Sequence, residues 1–450
     1  MKRSLGATLL LGLVLSFLGC TSRNIQVVEL ERSDPFLIPE PDSEARPAPP
    51  RSRREQILAQ EELALEDVLA VAEEVNPELN QARQDVDLGN ALVWDASLYP
   101  NPSLVAALDD YHPRGGSWAT SKRTIGVGIP IVTGGRIQAN VRLAESHRDQ
   151  LTLGYVWRRR EILTQVKQAF LNVMAHQQNL ELTKKTVELI KNFHSLAEER
   201  FKLRAIPEME LLKATVELAK SETDQRTVEK NLAVAIQTLK SLMGNIDLPR
   251  EKFRGTLPPR YTVPPMEDLR KKILDHHPLL EAARKQKELH EREVELLKAS
   301  VFPDVQAQVL AGVDSGKESV IQGGLSVPLP FFDRNQAKIA IARIEIRRAE
   351  FLIDSQWNDL LLRLSQSHHD LLEAQARVVS YEEKILPSAQ KAMEQTGEGY
   401  RQGKFSYLDV LDAERTLVEA RAAYSDALLD LNTAASELEK LLGMKLQPGP

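Results

Sequence analysis

The chain has 450 residues, a formal net charge of −6 at neutral pH and 27% charged residues. That balance gives no basis for nucleic-acid binding, and 5% aromatic residues is sparse for one globular core of this length. The single cysteine, Cys20, excludes an intramolecular disulfide, so an exported chain would hold together without one.

At the front, Lys2 and Arg3 precede an apolar run from Leu9 to Leu18. The run is too short to span a bilayer. Basic residues, a short apolar stretch and then small residues predict a secretory signal over residues 1–19. Phe17-Leu18-Gly19-Cys20 resembles a bacterial lipoprotein cleavage site, which implies that Cys20 is acylated. Thr21 follows rather than Asp, which in that resemblance favours the outer membrane. An ordinary signal with an incidental cysteine is the alternative. Residues 20–61 then form the N-terminal segment and linker, where Pro35, Pro39, Pro41, Pro47, Pro49 and Pro50 sit among charges. This composition predicts extended chain. The basic run Arg51-Ser52-Arg53-Arg54 could meet anionic lipid head groups, although solvation is the commoner fate of such a run. After the signal no apolar stretch reaches membrane-helix length. A membrane-spanning form of this chain would need strands in a closed barrel.

The remainder repeats itself. Asp67 and Asp268, Pro100 and Pro303, Arg136 and Arg334, and Gly244 and Gly443 stand 201, 203, 198 and 199 residues apart in matching contexts. The spacing predicts a first repeat at 62–250, a connection at 251–265, a second repeat at 266–446 and a tail at 447–450. Such a unit cannot bury its own surfaces and packs against its twin and other chains.

Each repeat predicts two short strands set between long helices. In the first, Leu104 to Leu108 leads to Ile125, Val127 and Ile129 alternating with Thr124, Gly126 and Gly128. A long helix from about Ile137 to Leu203 and a returning one from about Glu208 to Met243 follow. The connection, rich in proline, would bulge at mid-height. In the second repeat a helix is predicted from about Glu267 to Ser300. Val305 to Ala311 and Val320 to Leu329 then alternate as strands, with Ile321, Leu325, Val327 and Leu329 on one face. The next long helix, from about Asn335 to Gln402, contains Pro387 and should kink there, whereas the first-repeat equivalent, Glu188, should not. In the last helix Val410, Ala413, Leu417, Ala420, Tyr424, Ala427, Leu431, Ala434, Leu438 and Leu441 recur three and four apart. That is a coiled-coil seam, matched in register from Leu211 to Leu242. Strands with one apolar face suit a barrel wall in lipid, or one side of a soluble hairpin. Four strands cannot close a transmembrane barrel, which needs about eight, so several chains would share one.

These features together resemble the TolC-type outer-membrane efflux family over essentially the whole mature length. Leu329 to Gln336 resembles the strand-to-helix turn of its heavy-metal branch, and Tyr400 to Ala413 its periplasmic tip. The resemblance implies a mixed, mainly α fold: a long-helix α-barrel with a small transmembrane β-barrel completed by trimerisation, four strands per chain. It implies an outer-membrane exit duct of a tripartite efflux system, reaching into the periplasm, for small solutes with divalent metal ions as candidates. The implied partners are two further copies, a periplasmic adaptor (membrane fusion protein), an inner-membrane pump and outer-membrane lipid. A duct for protein secretion and a soluble periplasmic coiled-coil adaptor are the alternatives.

Two site roles carry over. Asp409 and Asp412, with Glu210 at the first-repeat position matching Asp409, would ring the narrow end of the pore and favour cations. Lys213 stands where Asp412 does in the other repeat. An acidic start to a helix would explain the two aspartates equally well. Gly403, Lys404, Phe405 and Ser406, with Arg204 and Ala205 at the first tip, would meet the adaptor. Gly403 would also serve simply to end a helix. His276-His277 and His368-His369-Asp370 are adjacent on helices and point apart, a poor chelate. No nucleophile–base pair and no Cys/His spacing is present, so no enzymatic activity, cofactor or metal site is expected.

Overall fold

The structure, a computed structural model, describes residues 57–58, 60–109, 121–246 and 252–449. The signal, Cys20 and the prolines of the linker lie outside the described residues. The first half runs α1 (Leu65–Val75), α2 (Pro77–Ser97), β1 (Ser103–Asp109), β2 (Lys122–Ile131), α3 (Arg136–Lys202) and α4 (Glu208–Leu242). The second runs α5 (Met266–His276), α6 (Pro278–Ala299), β3 (Val305–Val313), β4 (Ser319–Ser326) and α7 (Gln336–Ser380). A π-helical turn (Tyr381–Ile385), α8 (Leu386–Arg401) and α9 (Tyr407–Leu442) complete it.

The repetition reaches individual backbone angles. Gly135 and Asn335 precede the long helices in left-handed conformation, with φ of +69° and +58°, and Gly244 and Gly443 follow the returning helices at +88° and +66°. Only residues tolerant of that region serve there cheaply. A Cβ on Gly244 would also stand 3.1 Å from the Val75 carbonyl, where α4 ends against α1.

The helix expected from Glu267 to Ser300 is instead two, α5 and α6. Proline at the first position of a helix suits its fixed φ, but it cannot continue a helix already running. His277 sits at the break, and its Nδ1 accepts the Leu279 N–H at 3.3 Å. Asn76 takes the same place before α2, accepting the Glu78 and Leu79 N–H groups at 2.9 and 3.1 Å. His277 is therefore a helix cap. Burial, then the nearby Arg160 and Arg363, push its imidazole down to about 4, so it is neutral at physiological pH.

The kink expected at Pro387 is the π-helical turn just before it. Proline has no N–H to return to the preceding turn, and the chain widens, so that the Leu386 N–H donates to the Tyr381 carbonyl five residues back. At Glu188, α3 runs through unbroken.

Three apolar clusters hold the helices. One joins α1, α3 and α4 through Val68, Ile162, Phe170 and Leu239. Its twin joins α5, α7 and α9 through Leu269, Leu364 and Leu431. The third lies near the far end of α3 and draws on both halves, with Phe193, Met393, Tyr400, Tyr407 and Leu417. The proline-rich connection is pinned against the first two. Phe253 packs edge-on to Phe170 with centroids 6.1 Å apart, and the Tyr261 hydroxyl donates to Asn432 Oδ1 at 2.7 Å. The 67 residues of α3 correspond to about 100 Å of helix. That length separates the sheet from the tip.

Candidate functional site

The four strands form one antiparallel sheet in the order β1-β2-β3-β4. Register aligns their alternation: Leu104 faces Val127, Val127 faces Val309, and Ala307 and Ala311 face Leu325 and Ile321. Leu104, Leu325 and Ile321 are 77, 77 and 70% exposed. Apart from Arg123 and Ser319 at one end this face is apolar across all four strands, while Thr124, Gly128, Gln306, Gln308 and Gln322 take the other. Gly126 has no room for a side chain, since a Cβ there would fall 1.8 Å from the Val309 carbonyl oxygen. The strand expected to reach Leu329 stops at Ser326, because Pro328 and Pro330 cannot donate to a ladder. β1 and β4 each have only one neighbouring strand among the described residues.

At the other end α3 turns into α4 and α8 into α9, and the two turns share one hydrogen-bond pattern. Ala205 N–H donates to the Arg200 carbonyl, and Lys404 N–H to the Gly399 carbonyl, both at 2.8 Å. Arg204 and Gly403 take φ of +55° and +73°. An L-residue such as Arg204 pays about 1–2 kcal/mol for that conformation. The turns differ in chemistry. In the second, the Phe405 ring lies where a side chain on Gly399 would be, 2.1 Å from an ideal Cβ. In the first, Arg200 occupies the equivalent of Gly399, donates to the Tyr400 carbonyl at 3.1 Å and places its guanidinium 4.8 Å above the Tyr400 ring. Arg204, Ala205, Gly403, Lys404, Phe405 and Ser406 are all exposed on the single chain.

The three acidic tip residues separate. Asp409 closes a capping box, its carboxylate accepting the Ser406 N–H at 2.8 Å and the Ser406 hydroxyl at 2.7 Å. Those hydrogen bonds hold its carboxyl below the usual range. Asp412 is exposed and shares a groove between α4 and α9 with Lys213 and Arg415. Glu210 is half-buried and lies close enough to the inward-facing Tyr400 and Tyr407 to raise both phenols, although burial is the larger cause for each. The acidic ring expected from the sequence predicts that the Asp409→Ala, Asp412→Ala double variant raises conductance and weakens cation selectivity. Asp409→Ala alone removes the N3 half of a capping box whose N-cap is Ser406, so Asp412→Ala alone separates pore effects from folding. Unchanged bilayer currents in both would remove these residues from the constriction.

Pattern reading missed two buried carboxylates. Glu217 and Glu414 are 7% and 5% exposed and flank the seam residues Leu218 and Ala413. Charges beside a two-helix seam normally stay wet; here a third helix, α3, covers them.

Comparison with known proteins completes the description. The model of the family described as outer membrane efflux protein matches residues 68–245 and 269–444. The cobalt-zinc-cadmium resistance protein CzcC of Cupriavidus metallidurans is 29% identical over 389 residues, covering 85% of this chain and 90% of that one. The cation efflux system protein CusC of Escherichia coli is 35% identical over 116 residues, 24% of this chain and 23% of its own. A membrane protein from Pseudomonas aeruginosa superimposes with a TM-score of 0.71 at 18% identity, covering 84% of this chain and 92% of that one.

Proposed function

The chain belongs to the outer membrane efflux protein family, and we propose that three copies form one exit duct that carries divalent metal ions out of the cell. As an outer-membrane efflux channel it is the outer component of a tripartite system. The observation that carries oligomerisation is the sheet: a largely apolar face four strands wide whose outer strands, β1 and β4, each have one neighbouring strand among the described residues. Lipid tolerates no open edge. The strands leave the number of chains open and the family supplies three, which would give a closed barrel of twelve strands with β4 of one chain beside β1 of the next.

The tip turns are then the surface for a periplasmic adaptor, with an inner-membrane pump supplying the energy. Acylation of Cys20 would add a lipid anchor to the barrel. The metal cargo is supported by likeness to a cobalt-zinc-cadmium resistance protein and, locally, to a cation efflux protein.

Growth of a deletion strain, with a complemented control, across divalent metals and lipophilic drugs tests the cargo. Sensitivity to metals such as zinc, cobalt or cadmium alone is expected. Sensitivity to drugs and dyes would keep the duct and reject the metal assignment, and loss of secreted proteins without either would point to protein export.

A further inference from the structure

Inside the tip, between α3, α4 and α9, lies a cavity of about 540 Å³. Four carboxylates line it, Asp224 and Glu419 exposed, and Glu217 from α4 and Glu414 from α9 buried. The buried two are unequal. Glu217 takes the nearby cations, with Arg415 Nη2 at 3.2 Å and Lys220 Nζ at 3.8 Å. Glu414 has no hydrogen bond and no ion pair among the described residues, although it is 5% exposed.

The rest of the wall does not neutralise it. From α3 come only uncharged polar and apolar side chains, Asn179, Thr183 and Thr186 among them. To the groups already named, α9 adds Arg421, whose guanidinium donates to Gln390 Oε1 at 2.9 Å. Tyr407, buried near the start of α9, has its phenol raised by burial and then by Glu217, with Glu414 contributing. A buried carboxyl without a partner favours its neutral form. Burial, and next the Glu217 charge, push Glu414 up to about 7 against the opposing pull of Lys220 and Arg415.

We propose that Glu414 is a proton-operated latch joining α4 and α9, closing the periplasmic tip when protonated and loosening it when ionised. Neutral Glu414 brings an O–H donor into a cavity where the buried carboxylate of Glu217 can accept it. Ionised, it places a second negative charge opposite Glu217 in a poorly solvated space, and separating α4 from α9 relieves the repulsion. Because the folded value, about 7, lies above the ordinary glutamate value of 4.5, this contribution to tip stability is complete below about pH 4.5 and is lost as pH rises through about 7. The duct would therefore be tightest in acid.

The conductance arm of the test rests on the channel assignment; a second arm does not. Purified full-length protein is recorded in planar bilayers from about pH 5.5 to about pH 8.5. In parallel, nitroxide pairs on Leu212 and Leu408, in a Cys20→Ser background, report the α4–α9 separation by pulsed spin resonance. In the parent chain, conductance and separation are expected to rise together with a midpoint near pH 7. Glu414→Gln, a near-isosteric mimic of the neutral acid, should remain narrow and weakly conducting throughout. Glu217→Gln removes both the repelling charge and the carboxylate acceptor of the neutral acid, each of which keeps Glu414 protonated, so it should move the midpoint to lower pH; an unchanged or higher midpoint counts against the pair. A pH-independent separation in the parent, or an unchanged profile in Glu414→Gln, overturns the latch. A pH-dependent separation without any current would retain the latch and count against the channel.

Discussion

Arginine in place of Val127 is expected to remove this protein from the outer membrane. Val127 stands near the middle of the ten-residue β2, on the apolar face, opposite Leu104 on one side and Val309 on the other. A cationic side chain facing lipid at the bilayer midplane costs about 2–4 kcal/mol. A trimer repeats that cost three times, about 6–12 kcal/mol in all, comparable to the whole stability of many folded domains. Gln308→Arg is the matched control. It is a neighbour on β3 but belongs to the polar face, paired with Gly128 and Gly324, and lumen substitutions tune a pore rather than expel it. Heat-stable oligomer in outer-membrane fractions should vanish for the first variant and persist for the second. Equal insertion of both would show that the apolar face does not meet lipid.

Gly403→Trp is expected to reduce export to the level of the deletion strain while trimers still assemble. The residue is exposed at the end of α8, about 100 Å of helix from the sheet, so a bulky side chain there leaves the barrel untouched. Its φ of +73° makes any side chain strained, by about 1–2 kcal/mol. Gly403→Ala carries that strain without the bulk and should retain most export. Arg204→Trp should be milder than Gly403→Trp, because the first turn already accommodates a long side chain at the same left-handed position. Normal export in Gly403→Trp would exclude the second turn as the docking surface, and equal loss in the alanine variant would assign the effect to the turn itself.

Much of this architecture is visible in the sequence because repetition and periodicity are local properties. Each landmark occurs twice, and alternation on the strands shows directly which residues share a face. The seam from Val410 to Leu441 is legible for the same reason: apolar residues at three- and four-residue spacing can satisfy only one helical face. The errors lie where proline acts in context. Pro278 restarts a helix and so breaks the one expected from Glu267 to Ser300, and Pro328 and Pro330 end β4 early.

At the tip, sequence marks an acidic turn but cannot separate its members. Asp409 spends its carboxylate on Ser406, Glu210 leans toward two tyrosines, and only Asp412 combines an exposed carboxylate with a groove that also holds Lys213 and Arg415. The burial of Glu217 and Glu414 depends on α3 crossing the α4–α9 groove. That contact joins residues far apart in the chain, and no local pattern announces it.

The most direct test of the duct is the mass of the complex extracted from outer membranes in mild detergent, determined with its strand count by electron microscopy. The account predicts three chains around one twelve-stranded barrel, with the tips pointing to the periplasm. A monomer with an isolated four-stranded sheet, or a chain recovered only from the soluble periplasm, would contradict it.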